Sequence, residues 1–229
     1  KNNQIKIMKE IHFPNSLGLL YSAFTFYTGF KVNSGEYKLM GLAPFGLPKY
    51  SDLIKKKIID IKNDGSFRMN QKYFEYSTGF KMVNKKFEQI FGKPRRNPES
   101  KITKFYMDIA ASIQLVTEEI ILKILGNLKK EFKIENLCLA GGVALNCVAN
   151  GKILKKKIFK NIWIQPAAGD AGGSVGAALA FWYMHLRKKR IIEKKDSMLG
   201  SYLGLSYSNT EIKKTLEKEK AVFEFLNTK

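Results

Sequence analysis

Cysteine is nearly missing from this chain: Cys138 and Cys147 are the only two in 229 residues. They form no CxxC spacing and no disulfide framework, so they read as core thiols, one in a strand and one in a helix, of a protein kept in a reducing compartment. Histidine is as scarce, with His12 and His185 alone. His12 stands in extended chain before Pro14 with no second ligand-type residue at metal spacing, and reads as structural. Long apolar runs are missing too. The longest, Ala171 to Leu186, is interrupted by Gly172, Gly173 and Gly176 and falls short of a bilayer span. With no signal peptide visible, the chain reads as globular and cytoplasmic. Acidic residues are outnumbered, 20 against 40 basic ones, for a net charge of +20. Such a field concentrates polyanions. Yet arginine is also in short supply, with Arg68, Arg95, Arg96, Arg187 and Arg190 the only five and lysine making up the rest. Planar guanidinium forks are the favoured tool for reading bases and phosphates, whereas scattered lysine is what a solvated surface accumulates. The charge therefore reads as surface first and nucleic-acid footprint second.

What is present is organised around Leu137 to Ala180. Leu137-Cys138-Leu139-Ala140 is a short apolar strand ending at Gly141-Gly142, with helix-compatible sequence from Val143 to Leu154. The pattern recurs: Ile162-Trp163-Ile164 leads through Gln165-Pro166-Ala167-Ala168-Gly169 to a lone acid, Asp170, and Gly172-Gly173 opens an apolar helix over Ser174 to Leu186. A strand that breaks at paired glycines into a helix lets backbone approach a ligand closely. Two such turns at one sheet end predict a crevice lined by helix N-termini, suited to an anion.

The remaining chain frames that crevice. Asn15-Ser16 caps a mostly buried helix through Leu17, Leu20, Tyr21, Phe24 and Tyr27 that stops near Gly29. The segment Asn33 to Gly46 is dense in glycine. Tight-turn geometry alone explains Gly35, Gly41 and Pro44, while a functional reading lets Glu36 accept ribose hydroxyls and Lys38 meet a phosphate. Residues 49–104 read as a subsidiary module: a helix through Leu53, Ile54, Ile58 and Ile59, a hairpin turn at Asn63-Asp64-Gly65, then Tyr73 to Phe91. Arg95-Arg96-Asn97-Pro98 closes it as an exposed linker. Ile102, Phe105, Ile109, Ile113, Val116, Ile120, Ile124 and Leu128 keep a helical stripe to Phe132, which predicts a long central helix with Asp108 and Gln114 as polar flank residues. After Arg187-Lys188-Lys189-Arg190, where cations suit a helix C-terminus, come a loop at Leu203 to Asn209, a capped helix over Thr210 to Lys220 and a strand at Ala221 to Phe225.

With the turns placed, the chain resembles the NodU/TobZ family of carbamoyltransferases. Five motifs in order carry the resemblance: Phe13-Pro14-x-Ser16-Leu17-Gly18-Leu19-Leu20-Tyr21; Gly35-Glu36-Tyr37-Lys38-Leu39-Met40-Gly41-Leu42-Ala43-Pro44-Phe45-Gly46; Asp108-Ile109-Ala110-Ala111-Ser112-Ile113-Gln114; Gly141-Gly142-Val143-Ala144-Leu145-Asn146; and Gly169-Asp170-Ala171-Gly172-Gly173-Ser174-x-Gly176-Ala177-Ala178. The resemblance implies an α/β fold of the actin and sugar-kinase (ASKHA) superfamily, a Kae1-type ATPase with a mixed sheet flanked by helices, incomplete at both ends. Residues 1–197 would be the Kae1-like domain and 198–229 the start of a YrdC-like domain.

It also implies the chemistry: a carbamoyl-adenylate made from carbamoyl phosphate and ATP, whose carbamoyl group passes to a hydroxyl of a natural product or glycan. The YrdC-like domain would adenylate and the Kae1-like domain transfer, so a chain with only the start of the former would be inactive alone. Gly141, Gly142, Val143 and Asn146 match the segment holding the adenosine part of the nucleotide. Gly35, Glu36 and Lys38 match the opposite side of that pocket, and Gly172 and Gly173 the phosphate-facing turn. Asp170 matches the family's metal-binding aspartate, for Fe²⁺ or Mg²⁺. The family's two further ligands come from an HxxxH pair, a motif that His12 and His185 do not make. No catalytic base is identified. Carbamoyl phosphate, a hydroxylated acceptor and a second copy of the chain in a homodimer are the implied partners, with no membrane partner. Three rivals share the glycine turns: a tRNA threonylcarbamoyl transferase, for which the basic charge would have a use, a sugar kinase, and a non-catalytic nucleotide-binding module.

Overall fold

The computed structural model describes residues 3–191, 196 and 198–226. The chain divides into two compact units, Lys1–Lys188 and Lys189–Lys229. In the first, α1 spans Leu17–Tyr27, and the Ser16 hydroxyl accepts from the Leu19 N–H at 3.2 Å to cap it, as its sequence predicts. Next come α2 (Glu36–Leu42), a 3₁₀ turn (Ala43–Phe45) and α3 (Ser51–Lys57). A hairpin of β1 (Ile59–Ile61) and β2 (Phe67–Met69) turns at Asp64, whose carboxylate accepts from the Ser66 N–H and hydroxyl. The short α4 (Lys85–Phe91) precedes α5, the predicted long helix, which runs Lys104–Phe132.

Helix α5 joins two apolar cores. Ile109, Ile113, Val116 and Ile120 have no exposed surface and pack with Leu20, Phe24 and Tyr27 of α1, Leu39 of α2 and Ile54 of α3. Phe24, Tyr27, Phe87 and Phe91 interlock as rings 5.2–5.9 Å apart, mostly edge to face, the arrangement that aromatic quadrupoles favour. Residues of the 49–104 stretch thus lie in the same core as α1 and α5. The second core uses the next turns of α5: Leu125 packs with Ile153 and Phe159, flanked by Leu128, Leu137 and Ile162. This seats β3 (Asn136–Leu139), α6 (Cys147–Lys155) and β4 (Asn161–Ile164), followed by α7 (Gly172–Ala180) and a wide π turn (Phe181–His185). In the second unit α8 (Asn209–Lys218) opens on a capping box between Ser208 and Glu211. No helix among the described residues is long and apolar enough to cross a membrane.

The architecture is α/β, but not with the single mixed sheet expected. Its described residues hold two separate two-stranded sheets, β1-β2 antiparallel and β3-β4 parallel. Other expectations also fail. Cys138 and Cys147 are exposed, not core thiols, because the strand and helix carrying them are buried on one face only. Arg96 is 6% exposed, so the Arg95-Arg96 linker is not a surface one; its guanidinium donates to the Thr28 and Ser100 carbonyls. The first glycine turn enters a 3₁₀ turn over Gly142–Leu145, and the helix proper starts only at Cys147. The second helix starts at Gly172 and buries none of its residues despite its apolar sequence. Ala221 to Phe225 forms no strand, since no described neighbour offers it a ladder.

Asp108 is not a flank residue but an anchor. Only 3% exposed, it accepts from the Leu47 N–H at 2.8 Å and pairs with Lys49 at 3.0 Å. One turn on, Ser112 accepts from the Tyr50 N–H at 2.9 Å. The 46–50 loop is so close to α5 that a β-carbon on Gly46 would lie 1.9 Å from the Met107 carbonyl oxygen. Gly46→Ala should therefore destabilise the chain by about 1–3 kcal/mol in denaturant melts, the range for overpacking. Burial works to raise the Asp108 carboxyl, but the Leu47 N–H and the Lys49 and Lys104 ammoniums outweigh it and hold the group below the usual carboxylate range. A depressed folded pKa means that this stabilisation is present above the unfolded value, about 4, and is lost as pH falls through the folded value. Denaturant melts from pH 6 to 3 should show a steeper acid loss for the native chain than for Asp108→Asn. Equal slopes would remove this role.

Candidate functional site

The parallel pairing of β3 and β4 sets the site. Register runs from Asn136 opposite Asn161 to Leu139 opposite Ile164, so both strands end at the same level. Beyond them the two glycine turns are bonded directly: the Gly141 N–H donates to the Ala168 carbonyl at 2.6 Å. The two turns expected side by side thus meet. The glycines differ in what requires them. Gly141 sits at φ 99°, where a side chain is strained. A β-carbon on Gly172 would lie 2.2 Å from the Ala167 carbonyl oxygen. Gly142 and Gly173, by contrast, face open space, where a β-carbon would meet nothing within 4 Å. The N–H groups of Gly172 and Gly173 donate to the carbonyls of Gly169 and Asp170, closing the second turn. Val143 packs toward Gly18 at the start of α1.

Asn146 is the most constrained residue of the group. It caps α6 by accepting from the Ala149 N–H at 3.0 Å, and it exchanges two 3.1 Å hydrogen bonds with the Gln114 amide. Gln114 in turn accepts from the Tyr21 hydroxyl and donates to Glu118, both at 2.8 Å, and Glu118 pairs with Lys152 of α6. Burial, with Glu118 and Glu36 nearby, drives the Tyr21 phenol above its ordinary pKa. Of this network the sequence singled out only Gln114 and Asn146. Glu118 and Lys152 escaped notice and Tyr21 read only as a residue of the buried helix, although Gln114 and Glu118, four residues apart beside an apolar stripe, form a pattern that signals a buried polar partner.

The Gly35–Lys38 segment divides. Gly35 is buried, and Glu36 closes its own turn: its carboxylate accepts from the Ser22 hydroxyl at 2.7 Å and from the Asn33 and Gly35 N–H groups. Met40 of α2 touches Cys147, with the sulfurs 3.8 Å apart, so this helix borders the first glycine turn. Lys38 instead lines a separate cleft beside Arg95 and Arg96. Asp170 is exposed, and among the described residues no group of three or more His, Cys, Asp or Glu stands together to hold a metal. One carboxylate does not make such a site. Asn146→Ala removes a helix cap and both hydrogen bonds that Asn146 exchanges with Gln114, and should cost about 1–3 kcal/mol in denaturant melts. Asn146→Asp keeps the cap but cannot donate to Gln114, so it should recover only part of that loss; full recovery would show that the amide pair contributes nothing.

The chain is similar to several known proteins. It is 61% identical over 217 residues to an uncharacterised protein of Synechocystis, covering 95% of this chain and 35% of that one. It is 35% identical over 176 residues to the nodulation protein NolNO of Sinorhizobium fredii, covering 77% of this chain and 24% of that protein. Against the nodulation protein NolO of Bradyrhizobium diazoefficiens the identity is 36% over 176 residues, covering 76% and 30%. The chain thus spans about a third or less of these relatives. Residues 1–179, which include both glycine turns and the Gln114–Asn146 pair between them and α5, match the family model described as the carbamoyltransferase N-terminus, and the chain belongs to that family.

Proposed function

We propose that this chain is the nucleotide-facing part of an O-carbamoyltransferase, which passes a carbamoyl group from carbamoyl-adenylate to a hydroxyl of a small-molecule or glycan acceptor. The observation that carries the reading is the pair of bonded glycine turns at one end of β3 and β4, with Gly142 and Gly173 open to solvent where packing does not require glycine. Membership of the carbamoyltransferase family supplies the reaction class. In this reading the fold is that of the actin and sugar-kinase superfamily, and residues 198–229 begin the adenylating domain.

The residues divide the work by position. Gly141 and Gly142 let the adenosine part of the nucleotide lie against the first turn, which Asn146 holds through its cap and its bond to Gln114. Gly173 leaves room for phosphate beside the second turn, and Asp170, exposed at its tip, faces that space as the family's metal-binding aspartate. Among the described residues no group of three or more His, Cys, Asp or Glu includes Asp170, so a metal site here would need ligands from elsewhere. Transfer itself requires the acceptor hydroxyl to lose a proton as its oxygen attacks the carbamoyl carbon and AMP leaves. Asp108 and Glu36 are both committed to backbone N–H groups, which argues against either as the base.

The test uses the complete gene product with carbamoyl phosphate, labelled ATP and a panel of hydroxylated acceptors, resolved by mass spectrometry. AMP, pyrophosphate and a carbamoyl ester should appear together. ADP with a phosphorylated acceptor would instead make the protein a kinase. Asp170→Ala should abolish transfer while adenylate formation continues, and undiminished transfer would sink its assignment. In this chain Gly173→Val should leave the melting temperature nearly unchanged yet remove the stabilisation by adenine nucleotides, which at a hundredfold excess over Kd amounts to about 2.7 kcal/mol.

A further inference from the structure

A cleft of about 820 Å³ opens on the first unit, away from the glycine turns, none of which lines it. The volume is in the range of small-molecule sites. Its charge is one-sided: Lys31, Lys38, Lys81, Arg95 and Arg96 line it against a single acid, Glu99. That five-to-one ratio exceeds the two-to-one ratio of the whole chain, 40 basic residues to 20 acidic. None of the five has an ion pair among the described residues, although lysines elsewhere on the chain do.

The two guanidiniums are held in place by neutral groups. Arg95 lies with its guanidinium carbon 4.0 Å from the centre of the Phe26 ring and donates through Nε to the Phe26 carbonyl at 2.8 Å. Arg96, over the Phe30 ring at 5.3 Å, donates to the carbonyls of Thr28, at 2.6 Å, and Ser100. A guanidinium has five N–H donors; Arg95 uses Nε, and its terminal nitrogens have no hydrogen-bond partner among the described residues. Two adjacent cations, one of them buried, repel one another and are costly to desolvate, and the nearby Glu88 carboxylate, which accepts from the Arg95 backbone N–H at 3.0 Å, offsets only part of this. Burial and the neighbouring Arg96 accordingly lower the Arg95 pKa. Fold stability is poorly served by this arrangement; capture of an anion would relieve it. The walls add an apolar component, for Phe80 projects from the rim with its ring wholly in solvent, at 109% relative exposure, and Tyr76 lines the interior.

We propose that this cleft binds a phosphate monoester with an organic body, the phosphate meeting Arg95, Lys31, Lys38 and Lys81, and the body lying against the exposed Phe80 and Tyr76 rings. The assignment stands independently of the glycine turns and of carbamoyl transfer.

Titration calorimetry of this chain at low ionic strength tests it, with glucose 6-phosphate, AMP, inorganic phosphate and glucose as probes. Saturable single-site binding of either ester is expected. A preference for glucose 6-phosphate identifies a sugar phosphate as the ligand class and a preference for AMP a nucleotide. Inorganic phosphate, which cannot use the rings, should bind at least tenfold more weakly. Arg95→Gln should weaken the ester about tenfold, as loss of one charged hydrogen-bonding group does. Because Arg95 also ties down the Phe26 carbonyl, the exposed pair Lys31→Gln with Lys81→Gln provides a variant expected to fold normally, with a loss of tenfold or more. Ester binding unchanged in that double variant would place the ligand elsewhere and overturn the proposal. So would binding of neither ester, binding of glucose as tight as its phosphate, or inorganic phosphate binding as tightly as the esters.

Discussion

Burial of α5 on both halves of its length is the constraint on which the rest depends. At 29 residues it extends about 43 Å, from the rise of an α-helix. Its first half fills one core through Ile109, Ile113, Val116 and Ile120, and its second seats the β3-β4 pair through Leu125. A helix buried this way carries polar groups into the interior, where leaving them unpartnered is costly. Asp108 and Ser112 are satisfied by accepting from the 47–50 backbone, and Gln114 and Glu118 by meeting Asn146 and Lys152. Asp108, Ser112 and Gln114 therefore each fix the position of a neighbouring segment, whereas the buried Thr117 hydroxyl on the same helix has no partner among the described residues. The first glycine turn is tied to α5 by the two hydrogen bonds that Gln114 exchanges with Asn146.

The same logic separates two kinds of positive charge. Most of the lysine excess is solvated, and several of these residues pair with acids on the surface. The cations around the 820 Å³ cleft differ by place rather than type. Two of the five arginines of the chain lie there, fixed by carbonyls and ring faces, and composition counts them no differently from any other basic residue.

Helix α7 and the strands beside it show a further separation, between apolar sequence and buried position. Val175, Leu179, Phe181 and Trp182 are all at least 43% exposed. The strands β3 and β4 bury one face against α5 and leave Trp163 on the other at 47%. This chain spans 35% of its Synechocystis relative, and within it no described element covers that surface.

Local chemistry alone determined much of this protein. The Ser16 cap of α1, the Asp64 turn, the capping box at Ser208 and the stripe of α5 all follow from contacts within a few residues, and each lies where the sequence puts it. The glycine pairs marked the two turns for the same reason, since backbone restriction is a property of the residue itself. Tertiary structure decided the rest. Whether the turns would meet depended on the parallel register of two strands more than twenty residues apart, and the mixed sheet expected from fold resemblance resolved into two separate pairs. Arg96 looked like linker and is buried, while the apolar residues after Gly172 looked like core and are not. Burial depends on which distant surfaces arrive to cover a residue, and hydrophobicity along the chain carries no record of that arrival.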